Sequence, residues 1–143
     1  MIKDIVKEYG DVIHDPSSIT DQKLKTISIS PKLDIALGGG VPEGSLFIMT
    51  GPEKVGKTVT ALAFCANAQK DNRKIYYGNV EGRLRKRDIE GIRELDPDPE
   101  KIKLIGSTQG NILSAEKYLG IFDQIIHTQP NTVCVVDSFS ALA

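Results

Sequence analysis

The residues with the clearest chemical pattern are Gly-Pro-Glu-Lys-Val-Gly-Lys-Thr at 51–58, which match the phosphate-binding pattern G-x-x-x-x-G-K-[ST] in full. Gly51 and Gly56 lack a Cβ, so the backbone can turn tightly and direct several N–H groups towards nucleotide phosphates. The Lys57 ammonium would contact the β- and γ-phosphates, and the Thr58 hydroxyl would bind Mg²⁺. We expect the phosphates to contact one continuous segment, formed by Gly51, Pro52, Glu53, Lys54, Val55, Gly56, Lys57, Thr58 and Val59.

The segments on either side of this loop favour phosphate binding over an ordinary glycine-containing turn. Residues 45–50 form a short apolar run of the kind found in buried strands. Residues 58–69 carry small and apolar side chains at helical spacing. A strand, a glycine-rich turn and a helix are the setting that the motif requires, and the positive end of the helix dipole would add to phosphate binding.

Two acidic residues follow other predicted strands. Asp137 ends the apolar run at 132–137, where it could hold Mg²⁺ through water. Glu81 follows the strand predicted at 74–79, and its carboxylate could orient or deprotonate a water that attacks the γ-phosphate. Simpler interpretations stay open: Asp137 could cap a turn at the end of its strand, and Glu81 could be a solvated loop acid.

The predicted elements alternate between strands and helices along the chain. Strands are predicted at 26–30, 45–50, 74–79, 102–106 and 132–137, and helices from Pro31 and at 58–69, 83–95 and 112–127. This order predicts an α/β fold with a largely parallel sheet.

The first residues are predicted to form an arm that is separate from the core. Residues 1–14 place Ile2, Ile5, Val6 and Tyr9 on one helical stripe, and residues 15–24 have the composition of a linker. We therefore divide the chain into an N-terminal arm at 1–24 and a core domain at 25–143. The arm could be a frayed terminus or an element that docks on a neighbouring subunit.

The overall composition is that of one globular domain. The chain has 143 residues and a formal net charge of -1, so its charge does not indicate a nucleic-acid partner. No apolar run approaches the ~18 residues of a membrane span, and no export signal begins the chain. Cys65 and Cys134 are predicted to be buried, reduced thiols. A basic cluster, either a solvated helix face or a contact for phosphate or DNA, is formed by Arg83, Arg85, Lys86 and Arg87.

The residues around the loop resemble those of the RecA recombinases, including the phage UvsX type. The run Ile-Ser-Ile-Ser-Pro-Lys-Leu-Asp-Ile-Ala-Leu-Gly-Gly-Gly-Val-Pro-Glu-Gly occupies 27–44. Its Leu-Asp-x-x-Leu-Gly-Gly-Gly part is shared with KaiC-like and RadA-like ATPases, whereas the Gly-Pro-Glu opening of the loop favours RecA. The ending Val-Val-Asp-Ser-Phe-Ser-Ala-Leu-Ala and the early Lys-Glu-Tyr-Gly at 7–10 are also similar to RecA.

The resemblance implies a P-loop NTPase with a RecA-like three-layer sandwich. It also implies ATP and Mg²⁺ as cofactors, and DNA-dependent ATP hydrolysis by filaments on single-stranded DNA. Such filaments act in recombination and repair in the cytoplasm of a bacterium or of a phage-infected host. The catalytic roles fall to Glu81, which would activate water, and to Lys57, and the metal roles to Thr58 and Asp137. The N-terminal helix would dock on the neighbouring protomer.

The chain departs from the RecA pattern in two places. RecA proteins carry an Asp and a Tyr after the water-activating Glu to contact adenine, and here those positions hold Arg85 and Asp88. RecA proteins also continue into two DNA-binding loops and a strand that lies between the loop strand and the Asp137 strand. We therefore expect a sheet that is incomplete on its C-terminal side, with unpaired edges and exposed apolar surface.

Three hypotheses follow from these residues. The first is a RecA-type ATPase subunit, present either as a truncated N-terminal part or as one piece of a split protein that a second polypeptide completes. The second is a KaiC-like or RadA-like regulatory ATPase that does not exchange strands. The third is a half-domain that binds nucleotide and a partner without turnover.

Overall fold

Strands and helices alternate along the computed structural model, which describes residues 2–10 and 25–142. The predicted linker at 15–24 therefore lies outside the described residues, and the division at residue 24 stays a prediction. In chain order the elements are α1 (Ile2–Tyr9), β1 (Thr26–Ile27), α2 (Pro31–Ala36), β2 (Val41–Pro42), α3 (Lys57–Lys70), β3 (Lys74–Asn79), α4 (Lys86–Glu90), β4 (Ile102–Ile105), α5 (Ala115–Thr128), β5 (Thr132–Asp137) and a terminal 3₁₀ helix (Phe139–Leu142).

The main sheet has three parallel strands in the order β4-β3-β5. Its register pairs Ile75 with Ile102 on one side of β3 and Asn79 with Asp137 on the other. Because parallel strands end at the same edge, the residues that follow β3 and β5 are neighbours. The predicted mixed α/β fold with a parallel sheet is therefore confirmed.

The core lies between α3 and one face of this sheet. Leu62 and Cys65 on α3 and Ile75 and Tyr77 on β3 are each at most 1% exposed. Their cluster also contains alanines of α3, whose small side chains let the helix approach the strands closely. Burial confirms the prediction for Cys65, and both cysteines are free, although Cys134 is only half-buried.

A second helix, α5, packs on the opposite side of β3. A Cβ at Gly78 would lie 2.9 Å from the ring of Phe122, so the helix approaches the strand where the strand has no side chain. Phe122 is buried as predicted, but Leu119 and Ile126 of the predicted stripe are exposed. Tyr118 is buried instead, and its hydroxyl accepts a hydrogen bond from the Ser107 N–H at 3.1 Å.

The strand predicted at 45–50, immediately before the loop, is not formed. These residues have no strand pairing, and Leu46 and Ile48 are 87% and 70% exposed. A strand requires a hydrogen-bonded neighbour, and within the described chain β5 pairs only with β3. The apolar run was therefore insufficient evidence for a strand, and its side chains form exposed apolar surface instead.

Two further elements are shorter than predicted. The strand predicted at 26–30 contains only Thr26–Ile27, because Asp34 bonds the residues after it. Oδ1 of Asp34 accepts a hydrogen bond from the Ile29 N–H at 2.8 Å, and Oδ2 of Asp34 accepts one from the Ser28 hydroxyl at 2.5 Å. These bonds turn the chain into α2 instead of extending β1.

The helix predicted at 83–95 is reduced to the five residues of α4. Gly91 follows its last residue and donates its N–H back to the Arg87 carbonyl, after which the chain continues in turns. Leu95 is nevertheless buried, and Ile89 and Ile92 pack against the core as predicted. No helix in the described ranges is long and apolar enough to cross a membrane.

Candidate active site

The loop at 51–58 joins α3 through a left-handed turn. Gly56 has a φ of +95° and precedes the first helical residue, Lys57. A side chain at position 56 would be strained in this conformation. The turn therefore places Lys57 and Thr58 in the first turn of α3, where backbone N–H groups lack helical partners and anions are favoured.

The Lys57 side chain folds back over the loop. Its Nζ donates to the Gly51 carbonyl oxygen at 2.8 Å and to the Pro52 carbonyl oxygen at 2.6 Å. The ammonium therefore lies at the start of the loop, beside residues that precede Lys57 by five and six positions. A phosphate that binds the loop would compete with these two carbonyl oxygens for the same donor hydrogens.

The two predicted metal residues, Thr58 and Asp137, are in direct contact although they are 79 positions apart in the chain. The Thr58 hydroxyl donates to Asp137 Oδ2 at 2.8 Å. The hydroxyl of Tyr77, which lies on β3, donates to the same oxygen at 2.7 Å. Burial and, next, the hydrogen bond to Asp137 raise the pKa of the Tyr77 phenol far above its usual value, so that it stays a donor.

Glu81 lies beside the same edge of the sheet. The Val80 N–H donates to the Asp137 carbonyl oxygen at 3.0 Å, which keeps the chain next to β5 after β3 ends. The two carboxylate oxygens of Glu81 have different partners. Oε1 accepts from the Ser138 hydroxyl at 2.5 Å, and Oε2 lies 3.2 Å from Nη1 of Arg83. Glu81 therefore contacts the residue next to Asp137, at the position predicted from sequence.

A cavity of about 460 Å³ lies between the start of α3 and α4. Thr58 and Leu62 line one wall, and Arg87 and Asp88 line the other. The carboxylate of Asp88 is already engaged, because its Oδ2 accepts from the Arg85 N–H at 2.7 Å. The cavity therefore extends the candidate site from Thr58 to Asp88.

The basic cluster is a solvated, ion-paired surface. Arg83 pairs with Glu81, Lys86 pairs with Glu90 at 3.4 Å, and the Arg87 Nε lies 3.7 Å from Asp88. The three basic side chains are between 78% and 87% exposed. Pairs of this kind contribute little to stability in water. This geometry favours a solvated surface over a contact for phosphate or DNA.

The sequence interpretation missed two neighbours of the acids, Tyr77 and Ser138. Tyr77 gave a usable signal, because a tyrosine inside a buried strand needs a partner for its hydroxyl. Its partner in the structure is Asp137, which the sequence had already singled out. Ser138 gave no such signal, since its contact with Glu81 depends on the path of two loops after the strands end.

The oxygen atoms at this edge fit a magnesium ion. Mg²⁺ prefers oxygen ligands, and it commonly uses one or two carboxylates together with substrate phosphates and water. Thr58 and Asp137 supply a hydroxyl and a carboxylate beside the loop. Within the described ranges no group of three or more His, Cys, Asp or Glu side chains forms a metal cluster.

Comparison with known proteins identifies the family. A model of the RecA N-terminal domain matches residues 1–143. Protein RecA of Phytoplasma mali is 33% identical over 149 aligned residues, which cover 99% of this chain and 40% of that protein. Protein RecA of Mycobacterium ulcerans is 34% identical over 146 residues, with 98% and 37% covered. Protein RecA of Bifidobacterium breve is 37% identical over 127 residues, with 85% and 30% covered.

The chain therefore spans well under half the length of these relatives, while the relatives cover most or nearly all of the chain. The matched region is the one that contains the 51–58 loop, Glu81 and Asp137. From the domain match and from these relatives, we conclude that the chain belongs to the RecA family and corresponds to its N-terminal portion.

Proposed function

We propose that this chain binds ATP with Mg²⁺ at the 51–58 loop and forms the nucleotide-binding part of a RecA-type, DNA-dependent ATPase. The observation that carries the proposal is the contact between Thr58 and Asp137. It brings the last residue of the loop motif to the acid at the end of β5. The α3 N-terminus and the Lys57 ammonium add positive charge to the loop.

Each residue then has a role that follows from its position. The backbone N–H groups of the loop and Lys57 would hold the β- and γ-phosphates, and Thr58 and Asp137 would hold Mg²⁺. The ion would supply positive charge that offsets the charge developing on the phosphate oxygens. Glu81 would orient the attacking water and accept its proton, after exchanging its contact with Ser138 or Arg83 for that water.

Replacing Lys57 with Ala tests this assignment. Hydrogen bonds to charged groups are worth about 1.5–3 kcal/mol, which corresponds to roughly a 10- to 100-fold weaker affinity for ATP. The measurement is the dissociation constant of a fluorescent ATP analogue with Mg²⁺ present. Lys103→Ala is the matched control, because Lys103 is an exposed lysine on the edge strand β4. Equal affinity of the Lys57 variant and the wild type would refute the site.

We further propose that the complete protein assembles into filaments on single-stranded DNA and acts in recombination and repair in the bacterial cytoplasm. Membership of the RecA family supports this proposal. On α1, Ile5 and Tyr9 are 49% and 53% exposed, which suits an element that docks on a neighbouring protomer.

Salt-dependent filament assembly on single-stranded DNA distinguishes a filament-forming recombinase from a regulatory ATPase without strand exchange. In a full-length protein, Ile5→Asp is expected to reduce filament assembly while leaving the affinity of the monomer for ATP unchanged. Undiminished assembly of that variant would remove the docking role of α1. Lys3→Asp provides a control on the same helix, because Lys3 is also exposed.

A second candidate function is that of a half-domain completed by another polypeptide segment. The exposed apolar residues at 45–50 and the unpaired edge of β5 favour it. Both features would become buried if an extended apolar segment added a strand beside β5.

Mixing the chain with a fragment that carries the remaining RecA sequence tests this possibility. We expect a stable complex and a gain in DNA-stimulated ATP hydrolysis over either piece alone. Robust DNA-stimulated hydrolysis by the isolated chain would contradict it.

A further inference from the structure

We propose that Tyr77 is a positioning residue for the metal site, because its hydroxyl fixes the orientation of the Asp137 carboxylate towards Mg²⁺. The inference rests on the proposed nucleotide site and adds to it a residue on the core side of the sheet. Tyr77 would not contact the ion itself. It would act through Asp137 by holding Oδ2, the oxygen that Thr58 also bonds.

The position of the Tyr77 hydroxyl is set by the core. The residue is 0% exposed and belongs to the same buried cluster as Leu62 and Cys65. A tyrosine has only two side-chain torsions, and tight packing of its ring leaves the hydroxyl little freedom. The donor that Asp137 meets is therefore fixed before any ligand arrives.

Strand register explains why this hydroxyl reaches Asp137. Tyr77 pairs with Val135 across the parallel ladder, and Asp137 lies two residues further along β5 on the same face as Val135. The phenol spans that distance along the sheet and ends 2.7 Å from Oδ2. Tyr76, the preceding residue, points to the opposite face by the alternation of the strand.

The two oxygens of the Asp137 carboxylate differ in their hydrogen-bond partners. Oδ2 accepts from both Thr58 and Tyr77, at 2.8 and 2.7 Å. No described residue bonds to Oδ1, so that oxygen would be available to the magnesium ion or to its water. Outer partners that orient a metal-binding group commonly change metal affinity by about 10- to 100-fold when removed.

The test compares nucleotide binding with and without the metal. For the wild type and for Tyr77→Phe, the dissociation constant of a fluorescent ADP analogue is measured in Mg²⁺ and again in EDTA. The dissociation constant in EDTA divided by the constant in Mg²⁺ gives the coupling between metal and nucleotide. We expect Tyr77→Phe to reduce this ratio by roughly tenfold, with the constant in EDTA unchanged.

Two control variants remove a hydroxyl elsewhere. Tyr118→Phe does so at a tyrosine that is 2% exposed and bonds the Ser107 N–H, and Tyr76→Phe does so on the adjacent residue of β3. Both are expected to keep the wild-type ratio. If Tyr77→Phe also keeps it, or weakens binding equally in Mg²⁺ and EDTA, the hydroxyl is structural only and the inference is overturned.

A measurement on the unmodified protein covers the case in which Tyr77→Phe does not fold. The buried Tyr77 hydroxyl proton should exchange slowly enough to give an NMR resonance, and that resonance should shift when Mg²⁺ is added to the ADP complex. An unchanged resonance would overturn the inference. If the wild type binds ADP no better in Mg²⁺ than in EDTA, the metal site fails as well, which separates the two proposals.

Discussion

Replacing Gly78 with Ala should loosen the packing of α5 on the sheet. The new Cβ would lie 2.9 Å from Cζ and 3.0 Å from Cε2 of Phe122, and 3.2 Å from the Val135 carbonyl oxygen. Carbon atoms pack best at about 3.5–4.0 Å, so the ring must move by more than half an ångström or α5 must shift outwards. Overpacking of this kind costs about 1–3 kcal/mol of unfolding free energy.

The assay is urea unfolding followed by circular dichroism. A second variant, Gly120→Ala on α5, is the control, because a Cβ there has no heavy atom within 4 Å. Its effect should have the opposite sign, since Ala is favoured over Gly in a helix interior by up to about 1 kcal/mol.

A compensating change at Phe122 tests the contact with position 78 directly. Phe122→Leu removes the ring atoms that the new methyl group meets, at a cost below the ~3–5 kcal/mol of Phe→Ala. The double variant should lose clearly less unfolding free energy than the sum of the losses in the two single variants. Strict additivity, or a neutral Gly78→Ala, would show that the contact with Phe122 does not limit position 78.

Three further predictions concern other parts of the chain. Burial raises the pKa of Cys65 to about 12, so at pH 8 a thiol reagent should modify the half-buried Cys134 much faster than Cys65; equal rates would contradict this burial. Ile48→Lys should reduce aggregation, measured by light scattering, and change the unfolding free energy by no more than about 0.5 kcal/mol, because Ile48 is 70% exposed; a larger loss would mean that 45–50 is packed. The hydrogen bond from the Ser28 hydroxyl, and then those from backbone N–H groups, lower the pKa of Asp34. The resulting stabilisation of the fold is present above the usual pKa of the carboxyl and is lost as the pH falls through the lowered value. Asp34→Asn should therefore reduce the unfolding free energy at pH 7 and much less at pH 2.

The parts of the fold that were predictable are those with a strong local pattern. A strand was predicted at 74–79 and another at the apolar run 132–137, and the structure has both with the predicted bounds. The short helix after Pro31 was also predicted, because proline is favoured at the start of a helix. In each of these segments the local preference and the tertiary environment agree.

The parts that were mispredicted depend on which hydrogen-bond partner the backbone takes. The run at 45–50 has the composition of a strand, but no described strand lies beside it to complete its hydrogen bonds. The strand from Thr26 is cut short by Asp34, and the helix around Ile89 is ended by Gly91. Composition alone does not say which of two competing hydrogen-bond partners a backbone group will take.

The sequence by itself determined which groups could do the chemistry. The spacing of the loop at 51–58 is local, and an acid after an apolar run marks the end of a strand, so Thr58, Asp137 and Glu81 could be named without coordinates. Only the tertiary structure decided that Thr58 and the buried Tyr77 donate to the same oxygen of Asp137. That convergence depends on the register of β3 against β5 and on the packing of α3 over both, which join residues 60 and 79 positions apart in the chain.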